Sequence, residues 1–391
     1  MDPSLDAPAS PIERWALDPG VLHLNHGSYG GCPRAVLAAA EAVRARIEAA
    51  PMRYFVLDWQ TELDRARASL AWFLHADPAR LVFVPNATHG VAIALAAAEL
   101  AAGDEIITTS HAYRACMNQL VRLADRCGAR IVVVPIALPF DPDALVDAVA
   151  RAITPRTRLA LLDHVTSPTA LRLPIERLVP PLAAHGVQIV VDGAHAPGQL
   201  ALDVGALEAL GVTWYVGNHH KWMCAPKGSG FLAAAPAVAP ALRPLVTSHG
   251  ASPAYGPANR LHAELDWAGT HDPAVHLAVP IAIATVEAEG GDWSAVLAHN
   301  HALALALRDR LGGTPLAPDD AVGSMVALPV ELPPGTTPLA VEKTLLERGV
   351  EVPIVDVPGR PLLRVSAHLY NHLGQAELLS RALHALGVRI V

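Results

Sequence analysis

Seven short apolar runs, most of them followed by a stretch of helical periodicity, constrain this chain more than any other feature. They are 81–84 (LVFV), 104–109 (DEIITT), 129–134 (ARIVVV), 157–163 (TRLALLD), 187–192 (VQIVVD), 212–216 (VTWYV) and 230–234 (GFLAA). Between them, 88–101, 113–127, 141–152 and 175–185 carry apolar residues at helical spacing. A continuous β-branched run has no polar face, so both faces of its sheet must be covered, and alternating helices do this. The expected fold is α/β, with a mostly parallel seven-stranded sheet in a large domain. After about residue 255 the pattern changes to a helix-rich stretch (273–311) and two strand-like runs (324–330, 362–368) flanking a helix at 338–348. That predicts a smaller α+β C-terminal domain. The expected divisions are an extension (1–20), the large domain (21–255), whose N-terminal part also touches the small one, and the small domain (256–391).

Length and charge fit this picture. A chain of 391 residues exceeds one ordinary core, and 52% apolar residues can fill two. A net charge of -8 excludes non-specific nucleic-acid binding, which needs a surplus of Lys and Arg. The most apolar helical stretch, 91–103, carries Glu99, so no membrane span is expected. The first fifteen residues lack the basic and apolar regions of a signal peptide, which predicts a soluble cytoplasmic protein. Cys32, Cys116, Cys127 and Cys224 are scattered, which argues against a disulfide framework or a structural zinc. His219 and His220 are adjacent and point apart, a poor chelate, and no HExxH occurs, so no metal site is expected.

In an open parallel sheet, ligands gather beyond the carboxyl ends of the strands. Here those ends are polar clusters at 86–89, 110–113, 163–167, 192–195 and 218–221. A single such cluster is an ordinary loop start, but five on one sheet edge suggest a site. Asp192 ends an apolar strand with no Lys or Arg beside it, so its carboxylate needs a cationic partner from elsewhere. A protonated ring nitrogen would serve; a plain helix cap is the simpler alternative. Asn86-Ala87-Thr88 leads from a strand into a helix, which suits a phosphate, or Thr88 is only an N-cap. Lys221 follows a buried strand, where desolvation would make its amine a nucleophile toward carbonyls. A surface lysine packed on Trp222 is the bland reading. Asn218 and His220 add donors for a phosphate. Together these are the parts of a pyridoxal-phosphate site.

With those residues in hand, the chain resembles the class V aminotransferase group of fold type I pyridoxal-phosphate enzymes, which includes cysteine desulfurases. LNHGSYGGCP, PMRYF, DHVTSPTALRLPI, VDGAHAPGQL and GNHHKWMCAPKGSGFL look most like its isopenicillin N epimerase-like branch. The likeness runs from about 21 to 372. It implies Lys221 as the Schiff-base lysine, Asp192 on the pyridine nitrogen, and His195 and Ser167 near the phenolic oxygen. It implies Thr88, Asn218 and His220 on the phosphate, beside the Ala87 backbone. Thr270 would reach the phosphate of a neighbouring subunit, which implies a homodimer with sites at its interface. His111 or Tyr113 would stack on the ring. Arg364 would clamp the substrate carboxylate, Asn25 would close over the site, and Arg53 and Tyr54 would meet the distal end of the substrate. Residues 312–364 hold no cysteine, where desulfurases carry their persulfide acceptor.

The resemblance implies an enzyme acting at Cα of a small amino-acid substrate. Epimerisation is the leading expectation, and it needs a second acid on the other face, for which His111, Tyr113 and His219 qualify. C–S lysis and transamination are the alternatives. A non-catalytic metal- or ligand-binding protein, or a silent scaffold of the same fold, would be the rivals from another class.

Overall fold

The computed structural model describes residues 3–252, 259–357 and 359–391. Of the thirteen strands among them, the first, β1 (Leu22–His23), lies outside the main sheet. That sheet comprises β2 (Leu81–Val84), β3 (Glu105–Thr109), β4 (Arg130–Val134), β5 (Thr157–Asp163), β6 (Gln188–Gly193), β7 (Trp214–Asn218) and β8 (Gly230–Ala234). Their order is β2-β8-β7-β6-β5-β3-β4, and only β8 runs against the rest. All seven predicted strands are present, with ends within two residues of expectation.

Side chains alternate across this sheet as the pleat requires. Phe83, Ile107, Leu162, Val191 and Tyr215 join one core with the helices Trp59–Leu74 and Ile175–Ala184. Val82, Ile106, Leu161, Val190 and Val216 join another with the helices Ala87–Ala97 and Arg114–Cys127. Both faces are therefore dry except along the edge strand β4, where Val133 is exposed, and the polar strand ends are left as the sheet's open edge. The N-terminal helices Arg34–Ala49 and Trp59–Leu74 had no counterpart in the sequence reading. Their buried residues are interleaved with Arg and Glu, and the first of the two buries only Val36, Ala40 and Ile47.

The smaller sheet contains β9 (Met325–Glu331), β11 (Ile354–Val357), β12 (Arg360–Ser366) and β13 (Arg389–Ile390), all antiparallel, in the order β11-β12-β9-β13. β10 (Val350–Glu351) pairs in parallel with β1. That pairing docks the N-terminal segment on the small domain, and Leu24 is buried in the small domain's core. The sheet-side core takes in Ala274, Val279, Ala282 and Ile283, all beyond the expected boundary at 255/256. Residues 253–255 of the expected large domain and 256–258 of the small one lie outside the described residues. No helix among the described residues is long and apolar enough to cross a membrane.

Candidate active site

β5, β6 and β7 end side by side, and the register sets Asp163 against Asp192 and Gly193 against Gly217. Beyond these ends lies a cavity of about 280 Å³. Ala87, Thr88, Tyr113, Ser167, Asp192, His195, Asn218, His220 and Lys221 all line it, so most residues singled out in the sequence meet in one place.

Lys221 lies 2.9 Å from His195 Nε2 through its amine. The indole N–H of Trp222, which can only donate, faces His195 Nδ1 at 3.4 Å. His195 Nδ1 therefore holds the lone pair, and Nε2–H donates to an uncharged Lys221 amine. Electrostatics agree. Burial, then the charge of Arg364, push the Lys221 ammonium down to about 7, against a smaller upward pull from Asp192. Burial also keeps His195 well below the usual imidazole range, so it stays neutral. Below pH 7 the amine is protonated and inert; above it, the lone pair is free. We therefore expect cofactor-free protein to capture the aldehyde of pyridoxal phosphate at a rate that rises through pH 7 and then levels. Stopped-flow absorbance measures this. A rate still climbing toward pH 10 would mean an ordinary lysine.

The helix Ala87–Ala97 points its N-terminus at the cavity. Its cap is Asn86, whose Oδ1 accepts from His89 N–H at 2.9 Å, so the expected alternative of Thr88 as N-cap is corrected. Asn218 Oδ1 accepts the Ala87 N–H at 2.8 Å, tying β7 to the helix start. Thr88 is left to offer its N–H and hydroxyl to an anion. His220 Nδ1–H donates to Ser229 O at 2.9 Å, so the Nε2 of the neutral ring is an acceptor. Burial holds that imidazole down to about 4. It can grip a phosphate only by gaining a proton as the anion arrives.

Arg364, on β12, is 4% exposed. It donates to Ser167 O and Ser28 Oγ, both at 2.6 Å, and to Asn25 Oδ1 at 3.2 Å. All three acceptors are neutral. Among the described residues this buried cation has no carboxylate partner, and its Nε is unpaired. Burial lowers it to about 10, still protonated at neutral pH. Asn25 stands behind Ser28 and steadies it, with Ser28 Oγ donating to Asn25 Oδ1 at 2.7 Å. The same N-terminal segment presses on the lysine loop at Gly30, which has φ +71°. A Cβ there would lie 2.1 Å from His220 O, so only glycine allows the approach.

Other expected residues lie elsewhere. His111 is buried and bonded to Thr169 Oγ1 at 2.9 Å, and it does not line the cavity, whereas Tyr113 does. His219 is fully buried against Ser229 Oγ at 2.7 Å. Arg53 is exposed and faces Asp58 at 3.9 Å. Tyr54 is buried and donates to Glu62 Oε2 at 3.2 Å. Neither of these two reaches the cavity of its own chain. Thr270 is exposed in a second cavity, of about 350 Å³, which shares Pro85 and Gly228 with the first.

Beneath the lysine loop, His26, Cys224 and His368 bring their donor atoms within 4.8 Å of one another. Gly31 N–H donates to His26 Nδ1, so His26 Nε2 carries the hydrogen and donates to Lys221 O at 3.1 Å. The two imidazoles stack 4.0 Å apart at 18°, so their in-plane nitrogens run side by side. Such rings do not converge on one ion. The cluster is a hydrogen-bonded support for the lysine backbone.

Three cavity groups, and one thiol behind the cavity, carried no expectation. Asp163 stood in a strand-end cluster but had no assigned role, and its pairing with Asp192 appears only in the register. Ser28 and Tyr29 follow the predicted Asn25 in LNHGSYGGCP. Cys116, on the helix Arg114–Cys127, donates its thiol to Asp192 Oδ2 at 3.1 Å.

The donor set fits pyridoxal phosphate. It offers an uncharged amine, a buried carboxylate without a cation, a helix N-terminus and an unpaired guanidinium. Residues 31–352 match the family model of aminotransferase class-V. The chain belongs to that family. The expectations of fold type I, of an enzyme and of pyridoxal phosphate as its cofactor stand with it. It is 37% identical to an isopenicillin N epimerase of Amycolatopsis lactamdurans, over 97% of this chain and 98% of that one. It is 28% identical to an L-cysteine desulfhydrase of Arabidopsis thaliana, over 86% of this chain and 78% of that one. Its fold superposes with TM-score 0.83 at 20% identity on a C-DES mutant with glycine covalently linked to the PLP cofactor, covering 96% of this chain and 99% of that one.

Proposed function

We propose that this enzyme epimerises an α-amino acid at Cα. One observation carries the reading: of His111, Tyr113 and His219, only Tyr113 lines the cavity that Lys221 also lines. The strand order separates these two along the sheet edge. Lys221 follows β7 and Tyr113 follows β3, while Asp192 and Asp163 end the strands between them. Epimerisation needs proton donors on two faces of Cα, and this cavity offers two.

When bound, pyridoxal phosphate supplies the electron withdrawal that acidifies the Cα hydrogen. The chain does the rest. Asp192 would pair with the ring nitrogen, and Thr88, Asn218 and His220 would hold the phosphate. Arg364 takes the substrate carboxylate on its forked N–H groups, held in plane by Ser28, Asn25 and Ser167. Lys221, whose amine loses its proton near pH 7, would hold the cofactor and, once freed by the substrate, accept the Cα proton on its own side. Tyr113 returns a proton on the other. Burial, followed by Cys116, Tyr29 and Asp192, keeps the Tyr113 hydroxyl above its ordinary range, so it remains a donor.

The 37% likeness to an isopenicillin N epimerase over nearly the whole chain supports this reading. The desulfhydrase likeness favours C–S lysis as the second reading. We further propose a homodimer in which Thr270 and the exposed Arg53 serve the neighbouring subunit's site. Chiral chromatography after incubation with single enantiomers decides the reaction. The opposite enantiomer is expected. A keto acid with released thiol would instead mean the lyase.

A further inference from the structure

Asp163 and Asp192 end adjacent parallel strands in register, with about 4.8 Å between such strands. They are 4% and 3% exposed, and both line the cavity. Neither forms an ion pair among the described residues. Two carboxylates so placed cannot both ionise at low cost. We propose that they act as a carboxylic acid–carboxylate pair in which Asp163 carries the proton, so that the cavity floor presents one negative charge rather than two.

The hydrogen bonds decide which member is charged. Asp192 Oδ1 accepts the Ala194 N–H at 3.0 Å, and its Oδ2 accepts the Cys116 thiol at 3.1 Å. Asp163 accepts one longer bond, from Tyr113 N–H at 3.3 Å. The better-solvated carboxylate is Asp192. Burial and the Asp192 charge both drive Asp163 well above the usual carboxyl range. The other groups facing this floor do not reverse this. Lys221 is only partly charged near pH 7, His195 is neutral, and Tyr113 and Cys116 stay protonated. Arg364 gives its hydrogen bonds to Ser167, Ser28 and Asn25. The neutral Asp163 has a consequence for the lysine. Asp192 already pulls the Lys221 ammonium upward, and a second carboxylate would add to that pull and keep the amine charged. Asp163 is thus a positioning residue acting through Asp192 and Lys221.

The protonation itself does not depend on the cofactor reading; its effect on aldehyde capture does. The test is infrared difference spectroscopy of cofactor-free wild type against Asp163→Asn at pH 7. A protonated-carboxyl stretch lost in the variant is expected. A difference confined to carboxylate bands overturns the proposal. If the variant does not fold, carbon-13 NMR of wild type labelled at aspartate carboxyls replaces it. One carboxyl carbon should keep its protonated shift at pH 7, and none doing so overturns the proposal. In the folded variant, the pH midpoint of pyridoxal-phosphate capture should equal that of wild type, since both residues are neutral. A midpoint lowered by about one unit or more would mean that Asp163 is charged in wild type. If wild type captures no pyridoxal phosphate, the cofactor reading fails, while the infrared result still decides this proposal.

Discussion

Lys221→Ala is expected to lose the covalent hold on pyridoxal phosphate and to lower turnover by roughly three orders of magnitude or more. In the proposed reading the amine is both the attachment point and the base on its side of the cavity, and no other lysine lines it among the described residues. Borohydride treatment followed by peptide mass analysis reads the attachment. Wild type should carry the reduced cofactor on the peptide containing Lys221, and the variant should carry none there. The fold should survive, because the backbone at this position is held by His26 through Lys221 O and not by the side chain. Removing a desolvated amine even relieves a burden on the apo protein, one that builds as pH falls below the ordinary lysine pKa and is complete below about pH 7. Full turnover in the variant would end the assignment of Lys221.

Tyr113→Phe removes one oxygen and keeps the ring, which is 43% exposed at the cavity wall. Cofactor binding should be nearly unchanged. Interconversion of enantiomers should slow by about 10² to 10⁴-fold, the usual contribution of a positioned acid or base. Exchange of the Cα hydrogen of one enantiomer should persist, because Lys221 still works on its side. This split separates a proton donor from a residue that merely packs. A variant that epimerises at the wild-type rate would remove Tyr113 from the chemistry.

The sheet was legible because its inner strands are dry on both faces, and continuous Val, Ile and Leu runs have few other fates. Lys221, Asp192 and Thr88 were legible because they sit where an apolar run stops. The choice between His111 and Tyr113 was not. Both follow β3, and only the bond from His111 to Thr169 turns that ring inward. Asp163 was passed over for a similar reason. A carboxylate at a strand end reads as a loop start until the register sets another carboxylate beside it. The extent of the sheet-side core past residue 255 was hidden because Ala274 and Ala282 pack through small side chains that carry little hydropathy signal. The N-cap at Asn86 was misjudged because Asn and Thr are both good caps, and only the His89 N–H identifies the acceptor.

The most direct test of two-sided proton chemistry at Cα is proton NMR in deuterated water. Wild type loaded with pyridoxal phosphate would meet single enantiomers from a panel of amino acids and S-substituted cysteines. For its substrate, the Cα proton signal should fade while the amino acid persists, and the deuterated opposite enantiomer should accumulate. A Cα signal lost only as a keto acid and a free thiol appear would contradict epimerisation and make this enzyme a lyase.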